Sequence, residues 1–459
     1  MTDSVKRSGF LGSDMFTDKS IWGMLFPLIM DQLFIYAIGL LTTAMISSSG
    51  ESSVAAVSLV APISQLPLAF YSAFAAGGGV IIAQYKGHGD ETKVKEAIAQ
   101  TWFVVMALAV LMNGIPFFLA KPIIESLFPT ADPLVKEKAV TYMAGMMLNN
   151  IVHAPRVACT AGLRATGEIK VNTWGGILLN SAFFVFSFIF LNLLHMDIQG
   201  SLLSYFLARM VGLIYSVLWS FILPGSKVRI PVRYMLKPKA DYISSILKLG
   251  LPFSAEEMFF NLGTVVASTF IVLLGTSSVA ANAIVNSLMN TMYAPVSAVG
   301  LLATTVVGQC IGAGRQDLAK WYGKRLVQLG YVVCLVWVLI MLLLMKPILG
   351  IYKPTEQVLP MVRKLMLMGA AGMLLIYPVS MVIPYVLKAA GDAYYPTLVS
   401  LLAMWALRVG LGYVAAVPLG MGIYGIQWMM IGEWLVRSIL FGVRYKGKTW
   451  LTKKAIKTE

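Results

Sequence analysis

The sequence predicts an all-α membrane protein of twelve transmembrane helices, arranged as two parallel six-helix repeats around a V-shaped cavity. Three observations lead there. The 459 residues are 58% hydrophobic and 12% charged, against about 45–50% and about 25% in soluble domains. Apolar runs of about 20 residues or more recur twelve times, too long for barrel strands. The block Ser52-Ser53-Val54-Ala55-Ala56 returns unchanged as Ser277-Ser278-Val279-Ala280-Ala281, 225 positions later. An even number of spans per repeat brings both halves in from the same side of the membrane, an architecture known among transporters.

The spans follow in order. The first, 21–46, carries Pro27 and, one turn later, Asp31. The second, 54–83, ends before Gln84, Gly87 and Gly89, and the third covers 97–120. The fourth, 138–162, holds a polar patch of Asn149, Asn150 and His153 beside Ala154-Pro155-Arg156. Spans 171–195 and 200–223 close the first half. The seventh, 243–275, repeats the opening: Pro252 precedes Glu256 and Glu257, and Glu256 stands 225 positions after Asp31. The eighth, 279–309, presents Asn282, Asn286 and Asn290 on one helical face, a stripe suited to lining a cavity or tying helices together. Spans 323–349, 360–387, 395–417 and 421–443 complete the set. The last contains Glu433 and Arg437, four apart, where a local ion pair is expected. The expected domains are 1–223 and 243–459, six helices each, with a basic linker at 224–242 and a basic tail.

Charge sets the orientation. With both termini in the cytoplasm, 25 of the 36 basic residues fall on the inner side and seven on the outer. That satisfies the positive-inside rule and accounts for the net charge of +15 without nucleic acid. Arg156, Arg209, Arg408 and Arg437 remain within spans, against Asp31, Glu256, Glu257 and Glu433. Cys159, Cys310 and Cys334 have no metal or redox spacing and read as buried thiols. The aspartates before the first span do not suit a cleaved signal peptide. A multi-pass protein of the cell membrane, monomeric, is expected.

Several motifs sit at span ends. Val307-Gly308-Gln309-Cys310-Ile311-Gly312-Ala313-Gly314-Arg315 closes the eighth span; it lacks the strand and the Lys-Ser/Thr pair of a phosphate loop. Leu163-Arg164-Ala165-Thr166-Gly167-Glu168 recurs as Leu387-Lys388-Ala389-Ala390-Gly391-Asp392. Trp405-Ala406-Leu407-Arg408 lies in the eleventh span, and Gly422-Ile423-Tyr424-Gly425-Ile426-Gln427-Trp428 opens the twelfth. In this order the motifs resemble the MATE (multidrug and toxic compound extrusion) family over essentially the whole chain. The resemblance implies export of organic, often cationic, compounds in exchange for protons or sodium ions, with no other cofactor. Two family carboxylates are missing: Thr42 and Phe260 stand at their positions, and the tenth span has no acid.

Coupling residues are therefore chosen on physical grounds. A charge near the bilayer centre costs roughly 2.5–3.5 kcal/mol even on lenient scales, and a buried carboxylate can take a proton or sodium. Asp31, Glu256 and Glu257 are the candidates; sodium could sit at Glu256 or Asp31. Asp31 lies roughly 16 Å into its span, near the midplane, and Glu256 is expected at similar depth. Asn149, Asn150, His153, Asn282, Asn286, Asn290, Tyr293 and Arg408 are the expected cavity residues. Met143, Met146, Met147, Met289, Met292, Tyr71 and Tyr293 offer soft or aromatic surface, with packing as the simpler role. A flippase for a lipid-linked substrate is the alternative, supported by Arg156, Arg209 and Arg408. Membrane-embedded enzymes are excluded: the chain has three histidines and no catalytic triad or nucleotide motif.

Overall fold

Helix follows helix along the chain, because in lipid every backbone N–H must find its partner within its own segment. The computed structural model describes residues 9–46, 51–222, 230–235, 237–453 and 455–456. Part of the expected linker, 224–229 and 236, lies outside the described residues, as do the side chains of 36–46, Thr42 among them. The first half contains α1 (Asp18–Ile46), α2 (Glu51–His88), α3 (Glu91–Phe118), α4 (Ala120–Leu127), α5 (Pro133–Ala165), α6 (Ile169–Ser187) and α7 (Asp197–Val217). The second contains α8 (Ala240–Leu273), α9 (Thr276–Gly312), α10 (Gln316–Leu343), α11 (Met345–Tyr352), α12 (Val358–Leu375), α13 (Tyr377–Ala389), α14 (Tyr394–Ala403), α15 (Gly412–Ala416) and α16 (Ile423–Lys446).

Twelve spans result. The tenth is broken at Ile376 into α12 and α13, where Pro378 in the first turn supplies no N–H to continue the preceding helix. Among the described residues, nine helices are long and apolar enough to cross a membrane. The remaining spans are α1, α5 and α16; α5 carries Asn149, Asn150, His153 and Arg156, and α16 carries Glu433 and Arg437. Two short helices, α4 and α11, were not expected. They start at 120 and 345, 225 apart like the rest of the repeat, each with a Lys-Pro pair at its second and third positions. Among the described residues three π-helical segments also appear: Phe188–Leu193, Leu218–Ile222 and Met404–Leu411, the last joining α14 to α15.

The repeated motifs are helix stops. The N–H of Glu168 reaches the carbonyl of Leu163, that of Asp392 reaches Leu387, and that of Arg315 reaches Cys310, at 2.8–3.1 Å. Each is the six-to-one bond that closes a helix through a left-handed residue. That residue is Gly167, Gly391 and Gly314, with φ of 86°, 97° and 74°. Alanine at Gly314 or Gly391 is expected to cost about 1–2 kcal/mol each, visible as a lower melting temperature of the purified protein. Gly114→Ala, inside α3 with open space around it, is the control; equal losses in all three would refute this account of the turns.

The chain divides into two compact units. One comprises Met1–Leu33 with Ala255–Glu459, the other Phe34–Ser254. Both α1 and α8 change unit shortly after their internal prolines, Pro27 and Pro252. In the first unit, Ser13 Oγ meets Tyr322 OH at 2.7 Å and Asp14 pairs with Arg315 at 2.8 Å. The Arg315 hydrogen bond holds the Asp14 carboxyl below its usual range. In the second, the Gln100 amide donates to the carbonyls of Tyr234 and Lys237 and accepts from the Lys239 N–H, while Lys239 Nζ pairs with Glu96 at 2.6 Å. The segment that leads into each repeat is thus docked on the second-to-third helix turn of the other repeat.

Within the second unit α5 is the central helix, packed on α2, α3, α6 and α7. Met143, Met146 and Met147 are buried there with Tyr142, Ala56, Val60 and Ile198. In the first unit α9 packs on α10, α12 and α13, and Met289 and Met292 are equally buried. The methionines are core.

Candidate functional site

The first unit assembles the carboxylates. Glu256 lies on α8 and accepts from Lys388 Nζ at 2.8 Å and from Thr397 Oγ1 at 2.9 Å. Each side chain of the ion pair is 17% exposed. Lys388 is in the last turn of α13 and Thr397 in the first turn of α14. Glu256, the seventeenth of the 34 residues of α8, therefore stands level with the Gly391 turn. Lys388, counted by sequence among the inner loop bases, turns back into the bundle.

Glu257 is exposed, and among the described residues no cation lies within 4 Å of it. Asp31 is 7% exposed and belongs to the same unit. Among the described residues no three His, Cys, Asp or Glu converge as a metal site.

A second cluster lies on α16. Glu433, fully buried, pairs with Arg408 at 2.6 Å and accepts a hydrogen bond from Arg437 at 3.1 Å. The Arg408 contact is a close ion pair without hydrogen-bond alignment. Arg408 comes from the π-helical segment and also lies over the Phe260 ring, 5.2 Å from its centre. The expected Glu433–Arg437 pair is present, but Glu433 serves two arginines. Beside it Tyr293, Tyr377 and Trp434 form an aromatic trio with centroids 4.9–6.0 Å apart. Asn282 is half-buried, and Asn286 and Asn290 are exposed. None of the three has a hydrogen-bond partner among the described residues, so the stripe presents its amides outward and does not tie helices of its own unit.

The second unit brings the fourth-span residues together with Arg209 of α7. Asn150 donates to the Ser64 carbonyl at 2.9 Å and to Asn113 Oδ1 at 3.2 Å, and its Oδ1 accepts from Arg209 at 3.1 Å. Tyr71 OH donates to the Asn150 carbonyl. Asn149 donates to the carbonyl of Leu202 on α7. The sequence offered no signal for Lys388–Glu256 or Asn150–Arg209 as pairs; both join positions distant in the chain.

Two repeats of long apolar helices, with ion pairs and an arginine enclosed within single units, define a polytopic membrane protein. The MatE family model matches residues 27–189 and again 252–414, two copies that start at Pro27 and Pro252. The chain belongs to this family, the multidrug and toxic compound extrusion transporters, which are not enzymes. It is 22% identical to the "Uncharacterized transporter YisQ" of Bacillus subtilis over 99% of both chains. It is 23% identical to "Multidrug resistance protein MdtK" of Edwardsiella ictaluri over 87% of each. The solved structure described as "Crystal structure of MATE in the bent conformation" superposes with a TM-score of 0.85, 16% identity and coverage of 93% and 94%; at that identity the likeness is one of fold.

Proposed function

We propose that this protein is a secondary active exporter of organic compounds that exchanges them for protons or sodium ions by alternating access, its termini on the cytoplasmic face. Asp31, Glu256 and Glu257 are its coupling carboxylates in this reading. A relative named for multidrug resistance supports the cargo class. The observation that carries the coupling is the Glu256–Lys388–Thr397 contact.

Protonating Glu256 removes the charge that holds the Lys388 ammonium. The lost contact joins α8, just past Pro252, to the end of α13. A proline within a helix leaves a carbonyl without its donor and permits bending there. Titration at Glu256 is thereby tied to the shape of α8, giving ion and cargo two states to select between. Lys388 already occupies the carboxylate face that sodium would need, which favours the proton. Its charge also offsets Glu256, so this pair by itself selects no cationic cargo. The flippase reading draws on Arg156 and Arg209, since Arg408 is bound to Glu433.

The test is efflux of fluorescent organic dyes from proteoliposomes under imposed gradients. A proton or sodium gradient is expected to accelerate efflux at least tenfold over protein-free vesicles. Dye movement indifferent to both gradients would refute the exchange mechanism.

A further inference from the structure

The interior of the second unit has a charge imbalance that the coupling scheme does not use. Its spanning helices α2, α3, α5, α6 and α7 carry no Asp or Glu beyond their sixth residue, yet Arg156 and Arg209 lie deep within them. The parts of α1 and α8 in this unit add only Asp241, at the start of α8. Arg209 is 7% exposed. Among the described residues it makes one hydrogen bond, to the neutral Asn150 Oδ1, and lies over the Tyr205 ring, 5.5 Å from its centre. A guanidinium has five N–H donors, so most of this one's capacity is unused.

The surroundings are built. On α5, Asn149, His153 and Arg156 share a face at i, i+4 and i+7; on α7, Leu202, Tyr205, Arg209 and Gly212 share another. The two faces meet. Asn149 reaches Leu202, and a Cβ on Gly212 would lie 3.1 Å from Arg156 Cδ and Nε. Arg156 therefore crosses α7 at Gly212, one turn from Arg209. His153 lies within the electrostatic field of both guanidiniums, and its Nδ1 is buried without a hydrogen-bond partner among the described residues. Asn150 is held by Ser64, Asn113 and Tyr71, which fixes its Oδ1 toward Arg209.

We infer that this α5–α7 face binds an anionic group of the cargo, a carboxylate, sulfate or phosphate, received by the Arg209 guanidinium with Arg156 and His153 beside it. Guanidinium donors match the geometry of such oxyanions, and burial strengthens the contact. An anion supplies the negative charge that the interior of these helices lacks. As a cargo site the face rests on the exporter reading above; as a binding site it does not.

Full-length protein in neutral phosphatidylcholine nanodiscs is titrated with fluorescein, a carboxylate dye, and separately with the cation ethidium. Wild type is expected to bind fluorescein at least tenfold more tightly than Arg209→Gln, with Arg209→Lys between them and ethidium binding unchanged within about twofold. On wild type alone, sulfate should displace fluorescein and leave ethidium in place, which keeps the inference testable if a variant fails to fold. Gradient-driven export of fluorescein identifies a soluble organic anion as cargo. Displacement by short-chain phosphatidylglycerol, with labelled phosphatidylglycerol crossing the bilayer and no fluorescein export, identifies a lipid headgroup. Fluorescein bound but nothing exported sinks the exporter reading and leaves the site standing. Fluorescein and phosphatidylglycerol both binding wild type no better than Arg209→Gln, or sulfate displacing both dyes alike, overturns the site.

Discussion

Glu433→Ala is expected to give the largest loss of stability of any single substitution in the first unit. The carboxylate is fully buried and is shared by Arg408 and Arg437. Removing it leaves two buried guanidiniums of like charge facing the space it held. Breaking a buried ion pair by deleting one partner costs about 3–5 kcal/mol, a large part of the 5–15 kcal/mol that typically separates folded from unfolded protein. Glu433→Gln keeps shape and acceptor oxygen but not charge, and should lie between wild type and alanine. A second change, Arg408→Met in the Glu433→Gln background, should restore part of the loss because one stranded charge is gone. Thermal unfolding of purified protein checks the order. A melting point within about 2 °C of wild type for Glu433→Ala would refute it.

Glu256→Gln is expected to keep the fold and abolish gradient-driven efflux, by at least tenfold. Glutamine is nearly isosteric and can still accept from Thr397 Oγ1, so the α8–α14 contact survives. It cannot titrate, and it imitates the protonated state in which Lys388 is released. The partner substitution Lys388→Met removes the ammonium that Glu256 holds, so the contact that titration makes and breaks is absent and gradient-driven efflux should fall as well. Asp31→Asn should also lower coupled efflux. If Glu256→Gln, expressed at wild-type level, still pumps at the wild-type rate, Glu256 is a structural acid and Glu257, exposed on the same helix, takes its place as the candidate.

The architecture was legible because its signals are local or periodic. Span length and the 225-residue offset need no tertiary information. The repeat was richer than the motifs suggested: Lys121-Pro122 and Lys346-Pro347, at the same offset, mark α4 and α11. The π-helical segments left no trace, since no residue type specifies one extra residue per turn. Arg408 could be placed on a span but not aimed at Glu433. Charge partners were the least legible feature. Lys388 follows the positive-inside pattern as a loop residue would, yet its long side chain lets the head group sit several ångströms from its backbone. Arg209 gave no sequence signal beyond lying in a span, because the partner that fixes it is a neutral Asn150 on another helix.

The most direct measurement of exchange uses no imposed ion gradient. Proteoliposomes are loaded with whichever dye the efflux assay finds to be exported, diluted into dye-free buffer, and followed by lumenal pH and sodium indicators together. Exchange predicts that dye leaving drives protons or sodium inward, so the lumen acidifies or gains sodium in step with efflux, and that Glu256→Gln abolishes the response. Dye that leaves wild-type vesicles at full rate with neither lumenal pH nor sodium changing would contradict the account.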